Sequence, residues 1–325
     1  MFELSSELLT RLYKQLYLCR KAEDAIRKYC REDDMKTPMH MSYGEEAVPV
    51  GVCCAFGDRA QVFSSYRTHA AYLARTGDLQ GFFKELYGKK SDIADGKAGS
   101  MHMSRPELGF MQSSAIVAST LPVAVGAAFA NKYNGTDKIV IIFFGDGALD
   151  EGNFWESLNM ACLWELPIVF VCMDNGYAVH TPKKLRQAYT KITDIVKQFK
   201  CSVVAQKLPK SLDPVEIYGL VEAYVSINVK MPVFLYLQTY RYLEHVGVNE
   251  DFNAGYRDRS EYDALVSQDS LTILRERLVL SLGQAFVVDI ELNIDRDIEQ
   301  AVSEAKMSEF STVDDVYKGV FHEKN

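Results

Sequence analysis

Two short apolar runs in this chain end in residues able to hold a charged ligand. Ile139-Val140-Ile141-Ile142-Phe143-Phe144 leads into Gly145-Asp146-Gly147, and Pro167-Ile168-Val169-Phe170-Val171-Cys172 leads, one methionine later, into Asp174-Asn175. Both runs are rich in β-branched and aromatic residues, as strands buried on both faces of a parallel sheet are. Open α/β sheets bind ligands at the carboxyl ends of their strands. Between the runs, Asp150 to Trp164 reads as a helix with Trp155, Leu158, Cys162 and Leu163 on one side. Asp146 and Asn175 are therefore expected at neighbouring strand tips. A carboxylate and an amide oxygen there can hold a hard cation such as Mg²⁺, which in turn clamps a diphosphate. Gly145 and Gly147 let the backbone approach that phosphate, and the N-terminus of the following helix favours its charge.

Tyr66-Arg67-Thr68-His69 is a second constellation. An arginine offers a bidentate fork to phosphate oxygens, a tyrosine hydroxyl can donate to another, and imidazole titrates near neutral pH. Taken alone, the arginine is better read as a surface ion pair and the histidine as a satisfied loop residue.

The stretch GDGALDEGNFWESLNMACLWELPIVFVCMDNGYAVHT closely resembles the α subunit of the decarboxylating first component of 2-oxoacid dehydrogenases, of the pyruvate, branched-chain and acetoin types. The resemblance extends from about residue 10 to about residue 260. It implies that Tyr66, Arg67, Ile116, Val117, Gly145, Asp146, Gly147, Ala148, Asn175 and Tyr177 bind thiamine diphosphate. Asp146, Asn175 and the Tyr177 carbonyl would ligate Mg²⁺. His69 would face the reacting carbons, and His245 would lie near the diphosphate and the incoming acceptor, both as proton movers. The donor would be a small 2-oxoacid or acetoin. The aminopyrimidine domain, with its activating glutamate, would belong to a β-type subunit in an α2β2 assembly. A lipoyl acyltransferase would then receive the acyl group.

The departures from the family pattern carry their own expectations. Ala98 replaces a glycine in Gly96-Lys97-Ala98-Gly99-Ser100-Met101-His102-Met103, where His102 reads as structural. Ser114-Ala115-Ile116-Val117-Ala118 stands where relatives have Asn-Gly-Ile-Val-Gly, which questions the local backbone geometry. His180 replaces a small residue and is expected to point outward. Val246 stands where mammalian pyruvate dehydrogenases carry a phosphorylated serine, excluding kinase control at that position. Glu244 places a carboxylate beside His245 and is expected to favour the protonated imidazole. It also leaves open a second reading, acyl transfer to a polar small molecule such as a keto-sugar without a lipoyl domain. A decayed, non-catalytic scaffold is argued against by intact Asp146, Asn175, Arg67 and His69. An NAD oxidoreductase lacks its strand-linked G-x-G-x-x-G.

The elements that must position these residues form an α/β pattern. The expected architecture is a mostly parallel open sheet with helices on both faces, the diphosphate-type thiamine diphosphate-binding fold. It occupies residues 1–325 as a single domain, with a helical N-terminal extension over 1–35 and a mostly helical C-terminal extension over 263–325. Helices are expected from a Ser5 or Ser6 cap, over Glu45 to Phe56, Asp78 to Tyr87, Leu121 to Lys132 and Asp213 to Val229. Further strands are expected at Ser202 to Ala205 and Val233 to Gln238. Gly96 to Met111 and Gly247 to Tyr262 read as loops. With 48% apolar residues among 325, a buried core is readily supplied. A net charge of −8 without a basic block argues against nucleic-acid binding. Seven cysteines at irregular spacing suggest reduced thiols, not a zinc site or disulfide framework. No window approaches a membrane span, and Met1 to Arg31 resembles neither a signal nor a transit peptide. A bacterial-type cytoplasmic protein is expected.

Overall fold

The computed structural model describes residues 4–225 and 231–318. Along the chain lie α1 (Ser6–Tyr29), α2 (Ala47–Phe56), β1 (Ala60–Ser64), α3 (His69–Thr76), α4 (Leu79–Leu86), β2 (Phe110–Ser113) and α5 (Thr120–Asn134). Then follow β3 (Ile139–Gly145), α6 (Gly152–Leu163), β4 (Ile168–Asp174), the short hairpin strands β5 (Tyr177–Ala178) and β6 (Thr181–Pro182), and α7 (Ile192–Val196). The chain continues through β7 (Ser202–Gln206), α8 (Pro214–Val225), β8 (Val233–Gln238), α9 (Arg259–Val266), α10 (Ser270–Leu282) and α11 (Gln284–Met307).

Six strands form one sheet in the order β2-β1-β3-β4-β8-β7, every pairing parallel. Alternate residues of its central strands feed two separate apolar cores. Ile139, Ile141 and Phe143 pack with Val169, Val171 and residues of α1 to α4 on one face. Val140, Ile142 and Phe144 pack with Phe170 and residues of α5 and α6 on the other. The uninterrupted apolar runs are thus accounted for by burial on both faces. On the first face, α1, α10 and α11 share the core of α2 to α4, so the terminal helices cover the sheet side instead of projecting from it.

The helix starts follow local chemistry. Ser5 Oγ accepts from Leu8 N at 3.1 Å, Asp78 Oδ1 from Gly81 N at 2.9 Å, and Asp269 caps α10. Three expectations need correction. The helix after Gly147 begins at Gly152, because Asp146–Asp150 winds as a tighter 3-10 turn. The 247–262 loop ends at Asp258, whose side chain caps α9. Strand β1 and the helix α3 after it were not foreseen, nor was β2, which takes Phe110 and Met111 from the end of the expected 96–111 loop. Ala60-Gln61-Val62-Phe63-Ser64 is too short and mixed to declare itself, and is a strand because β3 and β2 flank it. Of the expected 213–229 helix, residues 226–229 lie outside the described residues, as do 1–3 and 319–325 of the two extensions. All seven cysteines are free, five of them buried. No helix among the described residues is long and apolar enough to cross a membrane.

Candidate active site

The sheet order places the site. From β1 the chain moves outward to β2 on one side, and from β3 it moves to β4 on the other. Connections that diverge from adjacent parallel strands leave a crevice at their carboxyl ends, the usual ligand position of open α/β sheets. Ser65-Tyr66-Arg67 follow β1 there, Gly145-Asp146-Gly147 end β3, and Asn175 follows β4. A cleft of about 250 Å³ opens at this point. Tyr66, Arg67, Val117, Gly145, Asp146, Gly147, Ala148, Asn175, Tyr177 and His245 all line it.

Asp146 is buried at the floor. One carboxylate oxygen accepts from Arg186, and the other, Oδ1, is buried with no hydrogen-bond partner. Burial and the nearby Asp174 push its carboxyl up to about 7, against the lowering pull of Arg186 and Lys183. Asn175 Oδ1 accepts from Tyr177 N at 3.2 Å, and Asn175 Nδ2 donates to Glu45 Oε1 at 3.3 Å. A Cβ added at Gly147 would meet the Ala178 side chain at 3.1 Å. At Gly145 it would enter open space. Gly145 is therefore bare, while Gly147 is closely covered by Ala178.

Two guanidinium groups make the upper wall. Arg67 donates to Met41 O at 2.5 Å and to His245 O at 3.2 Å, with its Nε 3.4 Å from Glu45 Oε2. Arg241 is buried beside it, and burial together with Arg67 and Arg257 lowers it to about 10. Glu45 beside Arg67 and Asp251, 3.7 Å from Arg241, offset part of this charge, and an anion in the cleft would offset more.

His245 stands above Arg67, whose Nη2 lies 3.3 Å from its Nδ1. A guanidinium only donates, so Nδ1 must be the bare nitrogen and Nε2 carries the hydrogen. Burial, Arg67, Arg241 and His180 lower this imidazole to about 3. The expected protonating influence of Glu244 is thereby corrected. Its carboxylate turns into its own loop, accepting from Asn249 N at 2.9 Å and Asn249 Nδ2 at 3.1 Å.

His69 also needs correction, because it does not reach the cleft. It is fully buried, with Nδ1 2.7 Å from Glu23 Oε1 and Nε2 2.8 Å from Ser100 Oγ. Both ring nitrogens are thus engaged within the protein. The imidazole that does reach the site is His40. Its ring centroid lies 4.6 Å from that of Tyr66 and 5.1 Å from that of His245. Its Nδ1 is buried without a partner, and burial followed by Arg67 and His245 lowers it to about 3. Nothing in the aperiodic stretch Met39-His40-Met41 announces this; Gly247 N donating to Met39 O at 2.8 Å fastens it beside His245. Glu45, Arg186 and Arg241 were missed for the same reason: each acts through contacts distant in sequence.

Ile116 does not line the cleft. It stands at the rim, 67% exposed, next to Val117 at 40%. The glycine-to-alanine departures there are resolved differently: Ala118 takes a left-handed φ of 61°, whereas Ala115 is not among the positive-φ residues. His180 is exposed as expected, but its ring lies 4.7 Å from Tyr256 and 6.5 Å from His245, so it stands at the cleft mouth.

Comparison with known proteins identifies the family. Residues 13–314 match the family described as dehydrogenase E1 component. The chain belongs to that family. The E1 components depend on thiamine diphosphate. The chain is 30% identical to the α subunit of acetoin:2,6-dichlorophenolindophenol oxidoreductase of Bacillus subtilis, over 92% of this chain and 89% of the relative. It is 33% identical to the pyruvate dehydrogenase E1 component subunit α of Zymomonas mobilis, over 92% and 83%. It is 30% identical to the mitochondrial pyruvate dehydrogenase E1 component subunit α-1 of Arabidopsis thaliana, over 94% and 77%.

The donor set fits the E1 cofactor. Among the described residues no group of three or more His, Cys, Asp or Glu side chains is placed to hold a metal ion. Mg²⁺ usually takes one or two protein carboxylates and completes its shell with phosphate oxygens and water. The orphaned Asp146 Oδ1 beside Asn175 suits a cation that arrives with a diphosphate.

Proposed function

We propose that this chain is the α subunit of a thiamine diphosphate-dependent 2-oxoacid or acetoin dehydrogenase, working with a β-type partner. The observation that carries this reading is the convergence of two largely buried guanidiniums, the open backbone at Gly145 and a partnerless buried carboxylate oxygen at the β1/β3 crevice. When bound, thiamine diphosphate supplies the nucleophilic carbon and the electron sink for decarboxylation. Asp146, Asn175 and the Tyr177 carbonyl would hold Mg²⁺, while Arg67, Arg241 and Tyr66 would take the remaining phosphate charge. Val117, on the cleft wall, would give the cofactor an apolar edge, and Ile116 stands beyond it at the rim. His245 is held neutral with its hydrogen on Nε2, so it can donate there to a developing oxyanion. His40, equally neutral, is placed beside it to relay a proton. His69 orients the loop around Ser100 from behind, as a positioning residue.

The polar-acceptor alternative is not favoured, since Glu244 is committed to the 244–249 loop. The lipoyl acyltransferase acceptor and a cytoplasmic location belong to this proposal as well. The exposed Ile116, Val117 and Val179 at the rim give the β-type subunit an apolar surface to close. The test is coexpression with a β-type subunit, followed by 2-oxoacid decarboxylation and acetoin cleavage. Turnover by the pair, and little by the chain alone, is expected. Robust thiamine-dependent turnover by the isolated chain would refute the split site.

A further inference from the structure

A second cavity, of about 420 Å³, lies beyond the carboxyl ends of β8 and β7. Its volume is in the range of small-ligand sites, roughly 300–1,000 Å³. Its walls carry Lys183, Lys184, Lys191 and Lys207 and no aspartate or glutamate. Lys183 is neutralised by Asp174. Among the described residues Lys184, Lys191 and Lys207 have no ion pair, and Asp194, the acid nearest Lys191 in sequence, is turned to Lys197 at 3.6 Å. Thr190 and Thr193 add hydroxyl groups to the same walls.

In a chain of net charge −8, a concave surface whose charged lining residues are all lysines is unusual. Ammonium groups converging on one cavity repel one another unless an anion sits between them. Compact ammonium charges and hydroxyl donors together suit a tetrahedral, multiply charged oxyanion.

We propose that this cavity binds a small phosphate monoester, at a site separate from the cofactor cleft. The position is a regulatory one. Gln187 lines the cavity and donates through Nε2 to Asp146 O at 3.2 Å and Asp150 Oδ1 at 3.0 Å. Lys183 reaches from the same wall to Asp174, next to the cofactor floor. An occupant therefore steadies the segment that carries Asp146.

The test is calorimetric titration of the full chain, together with its β-type partner, after thiamine diphosphate and Mg²⁺ have filled the cleft. The probes are inorganic phosphate, glycerol 3-phosphate and citrate. Saturable binding of glycerol 3-phosphate, one per chain, is expected. The Lys191→Gln/Lys207→Gln variant should weaken it at least about tenfold, since it removes two charge-assisted donors. Lys207→Gln alone should show a smaller loss. Lys197→Gln, which removes an equal charge outside the cavity, should leave binding unchanged. Three outcomes would overturn the proposal: no binding of either phosphate, binding of citrate alone, or equal losses in Lys197→Gln and the cavity variants. Retained thiamine diphosphate binding in each variant certifies its fold.

Discussion

Replacing Asp146 with asparagine should stabilise the cofactor-free chain while removing its response to cofactor. The substitution keeps shape and one oxygen, and removes only the charge. That charge is held against its environment, because folding takes the carboxyl from an ordinary value near 3.8 to about 7. At about 1.4 kcal/mol per pKa unit, keeping Asp146 ionised above pH 7 costs the fold roughly 4 kcal/mol. The neutral amide avoids that cost, which already includes the favourable pull of Arg186, so the variant should be more stable by roughly a few kcal/mol at pH 8. The sign follows from linkage. A raised carboxyl binds its proton more tightly in the folded state, so the wild-type penalty is full above pH 7. It fades as pH falls toward 4, and the advantage of the variant fades with it. Cofactor acts oppositely. Ligand at a hundred times its Kd stabilises the wild type by about 2.7 kcal/mol, and a hundredfold loss of affinity reduces this to about 0.4 kcal/mol. Chemical denaturation at pH 8 and pH 5, with and without thiamine diphosphate and Mg²⁺, measures all four quantities. A variant destabilised at pH 8 would make Asp146 a structural residue. A variant with undiminished cofactor stabilisation would refute its place in the site.

Arg67→Lys should keep the fold but weaken thiamine diphosphate binding about ten- to hundredfold, because an ammonium cannot hold Met41, His245 and phosphate oxygens together. Calorimetry decides, and unchanged affinity would exclude Arg67 from the phosphate wall. Ala118→Gly should stabilise the chain by about 0.5–1 kcal/mol, relieving a left-handed alanine at the modest entropic cost of a glycine. Thermal denaturation checks this, with a loss of stability as the contrary result. The imidazole signals of His40 and His245 should remain those of the neutral ring down to about pH 4, given the lowering of both to about 3. Folding lowers both from the ordinary value near 6.5, so each costs stability as pH falls below 6.5 and none above it. NMR titration of the cofactor-free chain with a midpoint near 6.5 for His245 would contradict the dry, cation-lined setting described here.

How much of this was legible beforehand differs by element. The runs 139–144 and 167–172 are buried on both sheet faces, so apolar composition alone marked them as strands. Their tips, Gly145-Asp146-Gly147 and Asn175, were consequently readable as neighbours, because consecutive strands of an α/β unit usually pair. Caps such as Ser5 and Asp78 act within three residues and are likewise written in local sequence. Strand β1 was not legible, since pairing with β3 and β2 makes it a strand; yet it delivers Tyr66 and Arg67. The exchange of His69 for His40 has the same origin. One imidazole is drawn into the core by Glu23 and Ser100, and the other is fixed beside His245 by a contact some two hundred residues away. Glu244 shows that adjacency along a chain is not adjacency in a field: its carboxylate turns toward Asn249, while burial and then Arg67 govern His245. By itself the sequence determined which groups the chemistry could use, because residue type and local periodicity are properties of short segments. Only the tertiary structure decided which of them share the cleft and in what charge state, because desolvation and Coulomb interaction depend on distances that chain order does not set.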